Sequence, residues 1–287
     1  MKKRSVVSVF SALVIAGAMA VSMSACTSEP SQENVSSTVS ETISGANVDL
    51  TDAASILDHL QENDKAQAAM IMNFDVKQGS NTLAIETHSD ITYLHEGRVK
   101  TVTTMLLSGQ EVSQLETYTL EKDGKYYHYT GSGEDWSVTE IEKSDLDEKT
   151  NQITDSSFLK EVTDLKVADK KEKINNVETT VLEGSLRYDR IASLLGSTMD
   201  GFDLSGTDVP TKLYVDTDKM EIIKMYMDLK PVLESAQNTD STDAASQMNI
   251  NACYLDIEIK ATGDDVQDFE VPADLPEPDD TAASSKA

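Results

Sequence analysis

The sequence contains few cysteines and few aromatic residues. Only Cys26 and Cys253 occur among 287 residues, and Phe, Trp and Tyr together make up 5% of the chain. Two cysteines can form at most one disulfide, so a disulfide-rich framework is excluded. A folded domain in this chain must therefore be stabilised mainly by its apolar core.

Basic residues are also scarce. The chain has 24 Lys and Arg against 51 Asp and Glu, which gives a formal net charge of −27. Such a charge argues against binding to nucleic acid and against electrostatic attraction to anionic lipids. We interpret the excess of acidic residues as a charge that keeps the domain soluble, and we predict no nucleic-acid partner.

The sequence lacks the short motifs that mark common active sites and metal sites. It has no G-x-S-x-G, H-E-x-x-H, C-x-x-C, Walker or G-x-G-x-x-G pattern. The segment Asp216–Lys219 begins like a calcium loop but lacks the glycine and the terminal glutamate of an EF-hand. The histidines also lack the spacing of zinc ligands, and they are His59, His88, His95 and His128. We therefore predict a protein that is not an enzyme and has no cofactor and no metal.

The first 25 residues have the order of a secretory signal. Lys2, Lys3 and Arg4 precede the apolar run 6–21, and small residues follow it up to Ala25. An uncleaved membrane anchor is the alternative. The run is, however, shorter than the ~20 strongly apolar residues that a spanning helix needs, and serine, glycine and alanine dilute it.

The segment Met23-Ser24-Ala25-Cys26 resembles a bacterial lipobox. The resemblance implies that Cys26 carries fatty acids such as palmitate and becomes the mature N-terminus, on the extracytoplasmic face of the cell membrane. Two or more acyl chains hold a protein firmly, whereas one chain holds it marginally. Ordinary cleavage near Ala25, leaving a free thiol, is the alternative. Loss of residues 1–25 leaves 21 basic against 51 acidic residues, a net charge near −30.

The next segments predict a tether and then one domain. Residues 27–50 are rich in Ser and Thr and have no aromatic residue, so they predict a disordered tether. Residues 51–62 place apolar residues on one helical face, and residues 68–76 then alternate, which indicates a half-buried strand. We assign residues 1–25 to a signal peptide, 26–50 to the lipidated cysteine and tether, 51–272 to the domain, and 273–287 to a disordered acidic tail.

Alternating strands continue through the domain, with two further helices. Helical periodicity recurs at 156–167 and at 188–199, and residues 209–229 predict a hairpin that turns at 216–219. Residues 234–247 are polar and predict a loop. We therefore predict an α+β fold, in which a single highly curved antiparallel sheet, a half-barrel, carries a leading helix and two inserted helices against its concave face.

This order of elements, with the hairpin LYVDTDKMEIIKMYMDL, resembles the LolA/LppX-like group of lipoproteins over residues 51–272. The resemblance implies a half-barrel whose apolar hollow shelters a lipid or another hydrophobic ligand, although some members have no known ligand. Partners that fit are the membrane, through the N-terminal lipid, and a hydrophobic small molecule or lipid. No individual functional residue is transferred by the resemblance.

The residues proposed to line the apolar cavity lie on the inward faces of predicted strands. Methionine is an adaptable lining for an irregular pocket, but it fills a packed core equally well. An alternative to ligand binding is therefore a protein-interaction or envelope-assembly module with a filled core. The proposed lining residues are Met70, Met72, Phe74, Ile85, Met225 and Met227.

Two other features have competing interpretations. The strand 125–129 is rich in tyrosine and, together with Trp136, forms the main aromatic cluster of the sequence. It predicts either a platform for a sugar or lipid headgroup or a strand packed on its neighbours. Cys253 shares its parity with Leu255, Ile257 and Ile259, so we expect it to be a small buried apolar residue rather than a redox centre.

Overall fold

The computed structural model describes residues 48–78, 81–95, 97–133, 135–143, 156–195, 204–240 and 249–278. The predicted signal peptide, Cys26 and nearly all of the tether lie outside these residues. Within the described part of the chain, no helix is long and apolar enough to cross a bilayer.

The described chain forms one antiparallel sheet of twelve strands that does not close. Its order is β6-β5-β4-β3-β2-β1-β12-β11-β10-β9-β7, and β8 pairs with β9 outside this path. The strands are β1 (Ala66–Gln78), β2 (Asn81–His95), β3 (Arg98–Leu107), β4 (Gln110–Lys122), β5 (Lys125–Ser132), β6 (Asp135–Ile141), β7 (Thr163–Val167), β8 (Glu172–Ile174), β9 (Val177–Arg187), β10 (Asp208–Asp216), β11 (Glu221–Asp228) and β12 (Asn249–Thr262). The predicted curved antiparallel half-barrel with a few helices is confirmed.

In the described residues, three α-helices accompany the sheet: α1 (Ala53–Asp58), α2 (Tyr188–Leu195) and α3 (Lys230–Asp240). The leading helix and the helix at 188 were predicted. The prediction of a helix at 156–167 is wrong, because Ser156–Glu161 is a short 3-10 helix and Thr163–Val167 pairs with β9 as a strand. The prediction of a loop from residue 234 is also wrong as far as Asp240, since α3 continues through these residues.

The main core lies between the helices and one face of the sheet, which we call the inner face. Apolar residues of β1, β12, β11, β10 and β9 point to this side, where Ile56 of α1, Ile191 of α2 and Leu233 of α3 pack against them. Leu213, Met227 and Leu255 have 0% exposure. The inward parity of the hairpin β10–β11 follows the sequence prediction, because Leu213 pairs with Met225 on the inner face.

A second, smaller core lies on the opposite, outer face of β4, β5 and β6. Tyr118, Tyr127 and Tyr129 form its buried centre, and Trp136 packs against them. Residues 266–277, which we call the C-terminal strap, cover this cluster with Phe269 and Leu275.

The strap is held by two cations of the sheet. The Arg98 guanidinium donates to Asp268 and to the Phe269 carbonyl at 3.0 and 2.9 Å, and it lies 4.9 Å from the centre of the Phe269 ring. Lys122 pairs with Glu277 near the end of the described chain. The described strap thus lies against the sheet as far as Glu277.

Candidate functional site

In strands β2 to β6, most charged residues lie on the outer face of the sheet, and most residues of the inner face are uncharged. Phe74 of β1 pairs with Ile85, and Ile85 pairs with Leu107 of β3, so alternate residues continue the inner face from the main core across these strands. We call the inner-face positions of β2 to β6 the neutral face, except for Leu83, Gln110, Glu121, Ser132 and Asp135 near the strand ends. They are Ile85, Thr87, Ser89, Ile91, Tyr93, Val99, Thr101, Thr103, Met105, Leu107, Ser113, Leu115, Thr117, Thr119, Tyr126, His128, Thr130, Ser137, Thr139 and Ile141.

None of these positions is Asp, Glu, Lys or Arg, although the chain carries 51 acidic residues. The nearest acidic positions of the same parity, Glu121 and Asp135, lie next to turns at strand ends. The outer positions of the same strands include Glu86, Lys100 and Glu116, and Lys100 and Glu116 approach to 3.9 Å. Alternation in the sequence therefore gives these strands one charged face and one neutral face.

The neutral face is largely half-buried rather than sealed. Ile91, Val99 and Met105 are partly exposed, and Leu107 is 37% exposed. The described helices pack mainly on β7, β9, β10 and β12, in the other half of the sheet. The described parts of the chain thus fill one half of the inner face and leave the other half accessible.

Serine and threonine hydroxyls lie in the middle of the neutral face, with apolar residues on either side of them. The Ser89 and Thr103 hydroxyls lie 3.0 Å apart, and the Thr119 hydroxyl lies 3.2 Å from Nδ1 of His128. A hydroxyl can donate one hydrogen bond and accept others, so groups paired in this way retain capacity for a ligand. The face combines apolar contact area with polar groups that carry no formal charge.

The structure places most of the predicted lining residues in the main core. Met72, Phe74, Met225 and Met227 are buried there, with exposures from 0 to 6%, and Met70 packs against them partly buried. Ile85 is also buried, on the strand that begins the neutral face. These six residues share the inner face, but only Ile85 belongs to the accessible half.

The aromatic strand divides between the two faces. Tyr127 and Tyr129 point outward into the second core, whereas Tyr126 and His128 belong to the neutral face. The Tyr118 ring centre lies 5.6 Å from Trp136 and 5.9 Å from Phe269. Burial, with support from Glu116, raises the pKa of Tyr118 far above its ordinary value. These contacts match the interpretation of the aromatic cluster as packed residues.

Cys253 is a buried apolar residue, as its parity indicates. It is 1% exposed, and burial, with a smaller effect of Asp228, raises the pKa of its thiol to about 12. A thiol with such a pKa stays protonated at neutral pH and reacts slowly. Among the described residues, no group of three or more His, Cys, Asp or Glu side chains is arranged to hold a metal ion.

No protein-family model and no curated protein sequence matches the chain. Several solved structures resemble its fold. LprF from Mycobacterium bovis is 13% identical, with a TM-score of 0.42, over 79% of this chain and 95% of LprF. The lipoprotein LppX from Mycobacterium tuberculosis is 11% identical, with a TM-score of 0.37, over 72% of this chain and 88% of LppX.

A LolA-superfamily protein from Nitrosomonas europaea is 10% identical, with a TM-score of 0.24, over 77% of this chain and 94% of that protein. LolA/LppX-like proteins are thus among the structural neighbours. This is the group that the order of elements in the sequence resembles. At these identities the likeness concerns the fold, and the function must be argued from the residues of this chain.

Proposed function

We propose that this protein is a lipoprotein tethered to the cell membrane through Cys26, and that its neutral face binds a hydrophobic, lipid-like ligand without chemical conversion. The observation that supports ligand binding is the composition of the neutral face. It is a half-exposed strand surface without Asp, Glu, Lys or Arg, in a chain of net charge −27.

Strand faces that meet water ordinarily carry polar and charged residues, as the outer face of β2 to β4 does. Burial of apolar surface contributes about 25 cal/mol per Å², and a charge buried without a partner is costly. A face with Ile91, Met105 and Leu115 and no acidic residue is therefore suited to contact with apolar chains.

The hydroxyl groups add a polar component to this surface. Thr101, Thr103 and Thr117 lie near the middle of the neutral face, between apolar residues on either side. Pockets for small ligands commonly combine an apolar lining with a few polar groups that fix orientation. We infer that acyl chains contact the apolar residues and that ester or hydroxyl oxygens contact the threonines.

This proposal moves the ligand from the methionine-lined half of the sheet to the neutral half. Met72, Met225 and Met227 are buried in the main core together with residues of the three described helices. The tether and the lipid at Cys26 support the proposal from the sequence, because they hold the domain close to a supply of lipids.

The test is native mass spectrometry of the full chain, purified from cells with mild detergent and then transferred to volatile buffer. We expect a population heavier than the lipidated polypeptide, together with an organic extract that contains the released ligand. Ligand-free protein that also fails to bind a fluorescent fatty-acid analogue would contradict the proposal.

A filled core supports a second candidate, the protein-interaction or envelope-assembly module. The close packing of β9 to β12 under α1, α2 and α3 is the observation that favours it. In that case the neutral face contacts a partner protein of the envelope. Cross-linking in cells from a photoreactive residue at position 105 distinguishes the two candidates, because it captures either a lipid or a protein.

A further inference from the structure

The outer face of the sheet carries a groove that the proposed function does not use. An open pocket of about 380 Å³ lies over β7, β9, β10 and β11, with Glu183, Lys212, Tyr226 and Asp228 in its lining. Glu183 and Tyr226 are both register partners of Lys212, on the side opposite the main core. The volume lies at the lower end of the ~300–1,000 Å³ range of small-molecule sites.

Two tyrosines form an aromatic surface at one end of this groove. The Tyr226 and Tyr254 ring centres lie 5.5 Å apart at an interplanar angle of 32°, and both residues are half-buried. Tyr254 is the register partner of Asp228, so the aromatic pair is continuous with the pocket. Burial raises the pKa of both tyrosines, so their hydroxyls are protonated at neutral pH.

The charged groups of the pocket largely neutralise one another. The Lys212 ammonium lies 3.0 Å from Glu183, and the Lys166 ammonium lies 3.9 Å from the same carboxylate. On β11 and β12, Lys224 and Asp256 pair at 2.7 Å. The groove thus offers many donors and acceptors without a strong net charge of either sign, which argues against a multiply charged ligand.

A buried amide without a partner among the described residues lies beside Tyr254 on the same face of the sheet. Asn73 pairs in register with Tyr254 on one side and Glu86 on the other, and it is 8% exposed. Its side-chain oxygen is buried and accepts no hydrogen bond from the described residues. Buried polar atoms are rarely left unpaired, and those that are require an explanation. The Asn73 amide is therefore a polar group next to the tyrosine pair whose oxygen has no partner in the described residues.

We propose that this outer groove, from Asp228 and Tyr226 to Tyr254 and Asn73, binds a neutral saccharide chain. Pyranose rings present an apolar face that stacks on an aromatic ring, and equatorial hydroxyls that bond to flanking carboxylates, amides and ammonium groups. A peptide is disfavoured because extended peptides pair with exposed sheet edges, whereas this groove lies over strands whose backbones are already paired.

The experiment measures binding of three neutral tetrasaccharides (cellotetraose, maltotetraose and chitotetraose) by isothermal titration calorimetry. The protein is the full chain with Cys26→Ser. We expect saturable binding of at least one sugar. Tyr226→Ala and Tyr254→Ala should each weaken this binding about tenfold or more, and Tyr226→Phe should retain most of it.

The matched control is Tyr188→Ala, which removes a half-buried tyrosine of α2 that packs against the main core and should leave sugar binding unchanged. Thermal melting of each variant checks that it is folded, and Tyr226→Phe keeps the test informative if an alanine variant is not. Absence of saturable binding of all three sugars overturns the proposal. So does equal binding by the Tyr226→Ala and wild-type proteins, or binding of an unrelated tetrapeptide as strong as that of the sugars.

Discussion

At the scale of single residues, alternate positions along the strands decide what each face of the sheet can do. Thr103 lies on the neutral face, and its neighbour Thr104 lies on the outer face beside His88 and Gln114. Neighbouring threonines of the same strand therefore lie in different environments. The same substitution at both positions shows whether a change in ligand binding depends on the face of the sheet or only on damage to the strand.

Cys253 provides a residue-scale prediction about reactivity. With Cys26→Ser as background, Cys253 is the only thiol in the chain. Because it is 1% exposed and burial raises its pKa to about 12, iodoacetamide at pH 8 should label it slowly in the folded protein and rapidly in urea. Mass spectrometry of the labelled protein measures both rates. Equal rates in the two states would show that Cys253 is not buried.

The same pKa predicts how stability changes with pH. An unfolded cysteine has a pKa near 8.5, and the folded value is higher, so the unfolded thiol loses its proton first. The stabilisation from a protonated buried thiol is complete below about pH 8.5 and decreases as pH rises towards 12. The free energy of unfolding, measured with urea, should therefore fall more between pH 7 and pH 10 for this protein than for the Cys253→Ala variant.

At the scale of elements, the C-terminal strap is the part that stabilises the outer face. Phe269 contacts Tyr118 and Arg98, and Leu275 packs against the same aromatic cluster. The strap lies on β3 to β6 from the outside and leaves the neutral face on the inside uncovered. The second core thus depends on a segment that follows the last strand.

Removal of the Phe269 ring should loosen this second core. We expect Phe269→Ala to lower the free energy of unfolding by about 1–3 kcal/mol. This is less than the loss for a fully buried aromatic side chain, because Phe269 is only partly buried. Trp136 is the single tryptophan of the chain and packs against the cluster, so its fluorescence should shift to longer wavelength.

The control for this variant is Glu270→Ala, at the exposed neighbouring position of the strap, which should leave both stability and fluorescence unchanged. If Phe269→Ala has an unchanged emission maximum and unchanged stability, the strap does not cover the aromatic cluster in solution.

The sequence predicts the strands well because their signal is local. Alternation over 68–76 and over 209–229 identifies the faces, and the register confirms them except at the bulge in β10–β11, where Ile222 rather than the predicted Ile223 pairs with Val215. The segment 156–167 was assigned wrongly because its apolar spacing also fits a helix, whereas pairing with β9 decides that Thr163–Val167 is a strand. The helix α3 was missed because most of its residues are polar, although Leu229, Val232 and Leu233 anchor its start in the core.

The neutral face could not be assigned from single segments. Each strand shows only which residues share its own face, and the register across β2 to β6 is needed to align Ser89 with Thr103 and Leu115. A usable signal was present in the sequence, since Thr87, Ser89, Thr101 and Thr103 recur at alternate positions without a charge among them. The methionines were predicted to line a cavity in the other half of the sheet, where the structure places them in the main core.

At the scale of the whole molecule, the open sheet follows a segment that we predict to be a membrane tether. The predicted lipid at Cys26 has a direct test. Cys26→Ser should abolish incorporation of radioactive palmitate and release the protein from the membrane fraction, because attachment depends on the acyl chains. Cys253→Ala serves as the control and should keep full labelling. Persistent labelling of the Cys26→Ser protein would contradict the proposed anchor.

The central claim is that the neutral face binds a hydrophobic ligand, and a matched pair of variants tests it most directly. Thr103→Arg places a cation on the neutral face, and Thr104→Arg places the same cation on the outer face of the same strand. The measurement is the affinity of each full-chain variant for a fluorescent fatty-acid analogue whose carboxyl group is esterified, so that the probe has no charge.

We expect Thr103→Arg to weaken binding of the probe at least about tenfold. The bound probe would remove the new cation from water without supplying a hydrogen-bond partner for it. Thr104→Arg should bind like the unmodified protein, and thermal melting should show that both variants are folded. Equal affinities of the two folded variants, or no binding of the probe by the unmodified protein, would contradict the account.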